Sequence, residues 1–373
     1  MSDTIYLNHA GTSWPKPTPV LEAAERASHR DPLEWAEVFQ LSHEKIASYF
    51  HVEPSRLLVT PSCTAALSVA VRDHDWKSGD RVLTSQYEHH ALHRGLAKLG
   101  EMGVEVVQVP ASETELVDLK ILETQLQSGQ VRLVAMTAAC NVTGQLLPMD
   151  EIIELAHQYG ALVLLDGAQV AGWFDLDLLA MKVDLFTFAG HKGPQAPWGI
   201  GGLYVSANVE MNSPLAACDL QETQQRAACA PMPGYCDTGS VNLSALAGMG
   251  AAVDWLREPK QADRLDRARR LTQDFTDNLR EISNVKIHGD VPMEMKVSTV
   301  AITSDILSPA TIATKLKEMG IVASAGFQCA PQAHLNLGTA SNGVVRFSFG
   351  PQTQEWEMKK TVDSLKTILD QNR

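Results

Sequence analysis

The 373-residue sequence contains no C-x-x-C pair: Cys63, Cys140, Cys218, Cys229, Cys236 and Cys329 lie 77, 78, 11, 7 and 93 positions apart. In a large chain with no secretion signal, such spacing argues against a disulfide framework and for mostly reduced cysteines that pack as small hydrophobes. Positive charge is also scarce. With 31 Lys and Arg against 44 Asp and Glu, the net charge is −13, and a nucleic-acid surface would need the opposite balance. The opening Met1-Ser2-Asp3-Thr4 lacks the basic then apolar pattern of a signal peptide. No apolar run is long enough to span a bilayer. A cytoplasmic protein that binds neither nucleic acid nor membrane is expected. Repeats and low-complexity tracts are absent too. What remains is an ordinary globular composition, 45% hydrophobic and 20% charged, in a length suited to about two domains.

Buried-strand signals alternate with helical ones through the first two-thirds. Arg132–Met136, Ala161–Leu165 and Asp184–Phe188 are apolar runs without alternation, the pattern of strands covered on both faces. Between them, Pro148-Met149-Asp150 leads into a helix with Ile152, Leu155, Ala156 and Tyr159 on one face. Asp150 is expected to cap it and Gly160 to end it. Strands separated by helices predict an α/β domain with a mainly parallel sheet. Beyond Asp237 the spacing predicts helices over 243–256 and about 260–279. A further helix opens at Ser308-Pro309 and stops at Gly320, and the last carries Met358, Val362, Leu365 and Leu369. This reads as a smaller α+β domain, with 14–242 forming the large domain and 1–13 plus 243–373 the small one.

Asp166 directly follows the run 161–165, so its carboxylate emerges at a strand's carboxyl end, where open α/β sheets bind ligands. Alone it would read as a turn or capping aspartate. Lys192, in Ala189-Gly190-His191-Lys192-Gly193, follows the next buried strand and projects from the same edge. Desolvation there can make an amine nucleophilic, although most single lysines are only solvated. Thr60-Pro61-Ser62-Cys63-Thr64 opens a helix after a short strand, and the N–H groups of Cys63 and Thr64 suit an anion. His89 and His93, in Glu88-His89-His90-Ala91-Leu92-His93, are four apart. The order is not H-E-x-x-H and no third ligand is apparent, so no metal is expected. Together these residues meet the demands of pyridoxal phosphate: a lysine for its aldehyde, an acid for its ring nitrogen, N–H donors for its phosphate and a ring to stack on. Gln169 could bond the phenolic oxygen.

In this order the segments resemble the class V aminotransferase group of fold-type I enzymes, and more narrowly cysteine desulfurases and selenocysteine lyases. The resemblance runs from Tyr6-Leu7-Asn8-His9-Ala10-Gly11-Thr12 to Val345-Arg346-Phe347-Ser348-Phe349-Gly350. Its most specific pieces are Glu88-His89-His90, Asn141-Val142-Thr143-Gly144, Asp166-Gly167-Ala168-Gln169 and Gly190-His191-Lys192. It implies a seven-stranded sheet, Lys192 holding the cofactor, Asp166 at its ring nitrogen and His89 stacked on it. It also implies Asn141 and Gln169 at the phenolic oxygen, and Cys63, Thr64 and His191 at the phosphate. Gly239-Ser240-Val241-Asn242 resembles the loop that reaches a neighbouring subunit's phosphate, which implies a homodimer with shared sites and a role for Ser240.

Ala325-Gly326-Phe327-Gln328-Cys329-Ala330-Pro331-Gln332-Ala333-His334 resembles the loop bearing the sulfur-accepting cysteine, which falls on Cys329. A thiolate suits attack on sulfur; a buried structural cysteine is the alternative, but the Gly, Gln, Ala and Pro around Cys329, after a helix ending at Gly320, point to a loop. Arg346 matches the substrate-carboxylate arginine. Three features depart from the family: Ser324 stands where desulfurases usually carry arginine, Ala189 replaces a hydroxyl residue, and the loop near His29-Arg30-Asp31-Pro32 is short. The implied reaction converts L-cysteine to L-alanine with a persulfide on Cys329, for delivery to a sulfur-acceptor protein. A C–S or C–Se lyase, an aminotransferase or an epimerase on another amino acid is the alternative, and a scaffold without turnover is a third reading.

Overall fold

Runs of apolar residues closed by glycine or a polar turn set most strands of the computed structural model, which describes residues 4–112, 115–209, 211 and 241–372. In chain order these are β1 (Ile5–Tyr6), β2 (Leu57–Thr60), β3 (Arg81–Ser85), β4 (Glu105–Val109), β5 (Val131–Thr137), β6 (Leu162–Asp166), β7 (Leu185–Ala189), β8 (Gly201–Val205), β9 (Val285–His288), β10 (Thr299–Ser304), β11 (Ile321–Val322), β12 (Ser324–Gly326) and β13 (Val344–Ser348). They divide between two compact units. The larger comprises Lys16–Ala138 and Leu147–Arg257, the smaller Met1–Pro15, Ala139–Leu146 and Glu258–Arg373.

In the larger unit seven strands form one sheet in the order β2-β8-β7-β6-β5-β3-β4. The strands β4, β3, β5, β6 and β7 run parallel, and β8 runs antiparallel to both β7 and β2. Residues 163–165 and Phe186 are wholly buried, as unalternated runs require. The helices are α1 (Thr18–Ser28), α2 (Trp35–Tyr49), α3 (Cys63–Arg72), α4 (His90–Gly100), α5 (Leu119–Gln127), α6 (Met149–Gln158), α7 (Leu178–Met181) and α8 (Leu243–Leu256). Register sets the chemistry at the sheet's edge. Asp166 closes β6 opposite Thr137 of β5 and Thr187 of β7. The turn that leaves β6 is tight: a Cβ on Gly167 would lie 2.0 Å from the Phe186 ring. Only a residue without a side chain fits there.

Two expectations need correction. Asp150 does not cap α6; Pro148 holds the N-cap position with no side-chain bond, and Asp150 sits inside the first turn, where its charge favours the helix dipole. The division between units also falls elsewhere than at 242. Helix α8, started by Asn242 Oδ1 accepting from Ala245 N at 3.0 Å, packs along α1 and α2 and clusters with the larger unit. The segment 139–146 clusters instead with the smaller one, where Gly144 O accepts from Val297 N at 2.8 Å and Met295 O from Leu146 N at 2.8 Å.

The smaller unit contains an antiparallel sheet, β12-β13-β10-β9, and a parallel pair, β1-β11. Its helices are α9 (Pro259–Arg280), α10 (Pro309–Glu318), α11 (Pro331–Asn336) and α12 (Glu355–Asp370). Ser308 caps α10 by accepting from Thr311 N at 3.2 Å. Phe275 of α9 packs edge-on against Phe347 and Phe349, at centroid distances of 5.0 and 5.2 Å. The face of α12 built from Met358, Val362, Leu365 and Leu369 is buried. Among the described residues no helix is long and apolar enough to cross a membrane.

Candidate active site

In the larger unit Asp166, Gln169, His191 and Lys192 lie at or just beyond the carboxyl ends of β6 and β7, and Cys63 reaches Asp166. Asp166 is buried, and its Oδ1 accepts from Ala168 N at 3.0 Å. Cys63 Sγ lies 3.5 Å from that oxygen and 3.4 Å from Thr187 Oγ1. Burial first, then the Asp166 charge, holds this thiol well above its usual pKa, so Cys63 remains a protonated thiol. Cys63 also opens α3, which approaches the sheet closely: a Cβ on Gly201 would meet Cys63 N at 2.7 Å. Ser62 Oγ accepts from Ala65 N at 3.2 Å and Ser62 O from Ala66 N at 3.0 Å. That leaves the N–H groups of Cys63 and Thr64 as the first-turn donors for an anion, since a helix start carries N–H groups without intrahelical acceptors.

Gln169 is buried just beyond β6, and Lys192 and His191 are half-buried just beyond β7. Burial, with Lys192 and Lys16 nearby, drives the His191 imidazole down to about 4, so it is neutral. His89 is the N-cap of α4, and its Nδ1 accepts from Ala91 N at 3.1 Å. With that nitrogen used as acceptor, the neutral ring carries its proton on Nε2. Among the described residues no group of three His, Cys, Asp or Glu could hold a metal ion.

Glu88 was quoted from the sequence only as part of a motif, yet it is a buried carboxyl whose Oε1 accepts from Ser85 Oγ. Burial raises it from 4.5 to about 8; the Ser85 bond pulls it down, and the Asp166 charge pushes it up again. From about 4.5 to about 8 the folded chain keeps a proton that the unfolded chain releases. Folding stability must therefore fall as pH rises through that window. The uncharged E88Q variant lacks this titration, so its urea midpoint should fall less than that of the wild type between about pH 5 and 8. Parallel curves would mean that Glu88 ionises in the folded protein as it does in the unfolded one.

In the smaller unit a second set assembles around Arg346. Its guanidinium is buried, with Nη1 donating to Asn141 O at 2.7 Å and Nη2 to Asn8 Oδ1 at 3.1 Å. Burial lowers it to about 10, while Cys140, Cys329 and Tyr6 oppose the shift, so the cation persists. No carboxylate of the described residues pairs with it within 4.0 Å, and its Nε has no hydrogen-bond partner. Asn141 is also buried, donating from Nδ2 to Gln328 O at 2.6 Å while its Oδ1 has no partner.

The Cys329 segment is a turn between β12 and α11. Gln328 and Cys329 both adopt left-handed backbone, with φ of 49° and 56°, which costs energy in non-glycine residues. Ser324 stabilises this turn, its Oγ donating to Gln328 Oε1 at 2.8 Å. It also lies directly opposite Arg346 across β12 and β13, where a second arginine would set like charges face to face. Cys329 is exposed, whereas Cys63 and Cys140 are buried.

A family model described as Aminotransferase class-V matches residues 5–360. The chain belongs to the class-V aminotransferase family. A probable cysteine desulfurase of Vibrio cholerae is 27% identical, over 98% of this chain and 94% of its own length. The apo cysteine desulfurase of Thermococcus onnurineus NA1 superposes with a TM-score of 0.88 at 22% identity, covering 99% of this chain and 95% of that one. A C-DES mutant with glycine covalently linked to its PLP cofactor gives 0.80 at 22%, covering 97% and 96%. These likenesses establish the expected fold-type I architecture. Within the family frame, Ser240 lies outside the described residues. Asn8, Thr187 and Lys16 were not singled out from the sequence. The Asn8–Arg346 contact joins residues 338 positions apart, and nothing local in either segment signals it.

Proposed function

We propose that the protein is a pyridoxal phosphate-dependent cysteine desulfurase. The observation that carries this reading is the exposed Cys329, held on a left-handed turn within electrostatic reach of a buried arginine that pairs with no carboxylate of the described residues. The larger unit's residues fit the cofactor. Asp166 offers a buried carboxylate beside the strand that leads to Lys192, and α3 offers N–H groups for a phosphate. Lys192, Asp166, His89, Gln169, Asn141, Cys63, Thr64, His191 and Ser240 would hold it, in the roles the resemblance implies. When bound, it supplies an electron sink that stabilises negative charge at a substrate α-carbon.

Arg346 binds the α-carboxylate of L-cysteine through its planar fork. Lys192 moves the α-proton. The Cys329 thiolate attacks the substrate Sγ: an S–S bond forms, the substrate Cβ–Sγ bond breaks, and Cβ gains a proton. L-cysteine and one thiol thus become L-alanine and one persulfide, with atoms and electrons balanced. A second turnover requires another thiol to discharge Cys329, so the proposal includes a sulfur-acceptor protein. It also includes a homodimer and a cytoplasmic setting, which keeps thiols reduced.

The test is to mix the holoenzyme with L-cysteine, measure amino acids and weigh the peptide that contains Cys329. Alanine in step with one added sulfur on Cys329 supports the proposal. Pyruvate, a keto acid or D-cysteine without a persulfide would assign a lyase, an aminotransferase or an epimerase instead. For R346K we expect the KM for L-cysteine to rise about 10- to 100-fold, as lysine loses one charged hydrogen bond of the fork. Steady-state kinetics checks this. An unchanged KM would move carboxylate recognition away from Arg346.

A further inference from the structure

Lys16 is a second amine at the Lys192 segment. Its Nζ donates to the carbonyl oxygen of His191 at 2.8 Å, the residue immediately before Lys192. Pro15 and Pro17 flank it, fixing φ on both sides and restricting Lys16 itself to extended backbone. Its side chain therefore springs from a stiff point, just ahead of α1. His191 feels both Lys192 and Lys16, and Cys63 feels both Asp166 and Lys192. The charged and titratable groups gathered here are thus Lys16, His191, Lys192, Cys63 and Asp166. Burial alone brings Lys16 down to about 7. Neither the composition nor the motifs mark it out, and the mechanism above does not use it.

We propose that Lys16 is a positioning residue for Lys192, holding the His191 carbonyl and, while protonated, adding a second positive charge at the segment whose nitrogen joins the cofactor. This rests on the assignment of the cofactor to Lys192. A cation there disfavours a protonated, positively charged nitrogen on its neighbour. While Lys16 is protonated, its charge lowers the pH at which the Lys192 nitrogen sheds its proton.

The test is a spectrophotometric pH titration of the holoprotein without substrate, reading the midpoint at which the lysine-bound cofactor changes absorbance. Two neutral replacements of different polarity, K16M and K16Q, should raise that midpoint by about 0.5 to 1 relative to wild type. K16R keeps the charge, so its midpoint should lie at or below the wild-type value. A purely structural role would not separate K16R from K16M and K16Q in this direction. Wild-type midpoints in K16M or K16Q would overturn the proposal while leaving the cofactor assignment intact. A wild-type protein with no pH-dependent cofactor absorbance would overturn that assignment, and this proposal with it.

Discussion

K192A is expected to lose turnover of L-cysteine by at least about 10³-fold, because one nitrogen serves both as attachment point and as base. The lysine follows β7 at the edge where β6 delivers Asp166, so no neighbouring residue can take over its geometry unaided. Lys16 reaches the same segment, but its Nζ is committed to the His191 carbonyl. The measurement is borohydride reduction of purified holoprotein followed by peptide mass analysis. Wild type should carry a reduced adduct on residue 192, and K192A should carry none. An adduct elsewhere in wild type would remove the basis of the whole functional reading.

C329A separates sulfur chemistry from cofactor chemistry. Alanine formation should fall at least about 10²-fold, since a nucleophile acting in a covalent step cannot be removed cheaply. The absorbance change on mixing with L-cysteine should persist, because Asp166, Lys192 and Arg346 are untouched. Both remaining cysteines of the described residues are buried, and Cys63 is held protonated beside Asp166, so neither offers a ready replacement thiolate. Undiminished alanine release by C329A would assign the persulfide-forming role elsewhere.

Much of the fold was legible because burial on both faces leaves a plain mark. The unalternated runs before Asp166 and Lys192 become β6 and β7 to within a residue or two, and the helix read over 243–256 is α8. The larger errors arose where a local signal competed with long-range packing. Asp150 looks like a cap, but the chain enters α6 through Pro148. Helix α8 looks like the start of a new domain, yet its apolar residues are buried where it packs along α1 and α2. Within the candidate site, residues that end a strand or start a helix could be found from their neighbours in sequence. Asn8 at Arg346, Thr187 at Cys63 and Lys16 at His191 could not, since each contact exists only once distant segments meet.

The pairing of β1 with β11 sets Ile5 beside Ile321. During synthesis at ~5–20 residues per second, the first strand would wait roughly 15–60 s for its partner to emerge. All of the larger unit, which ends at Arg257, leaves the ribosome within that interval. The arginine centre at Asn8 and Arg346 is therefore among the last parts to form, and a truncated or stalled chain holds the lysine segment without it.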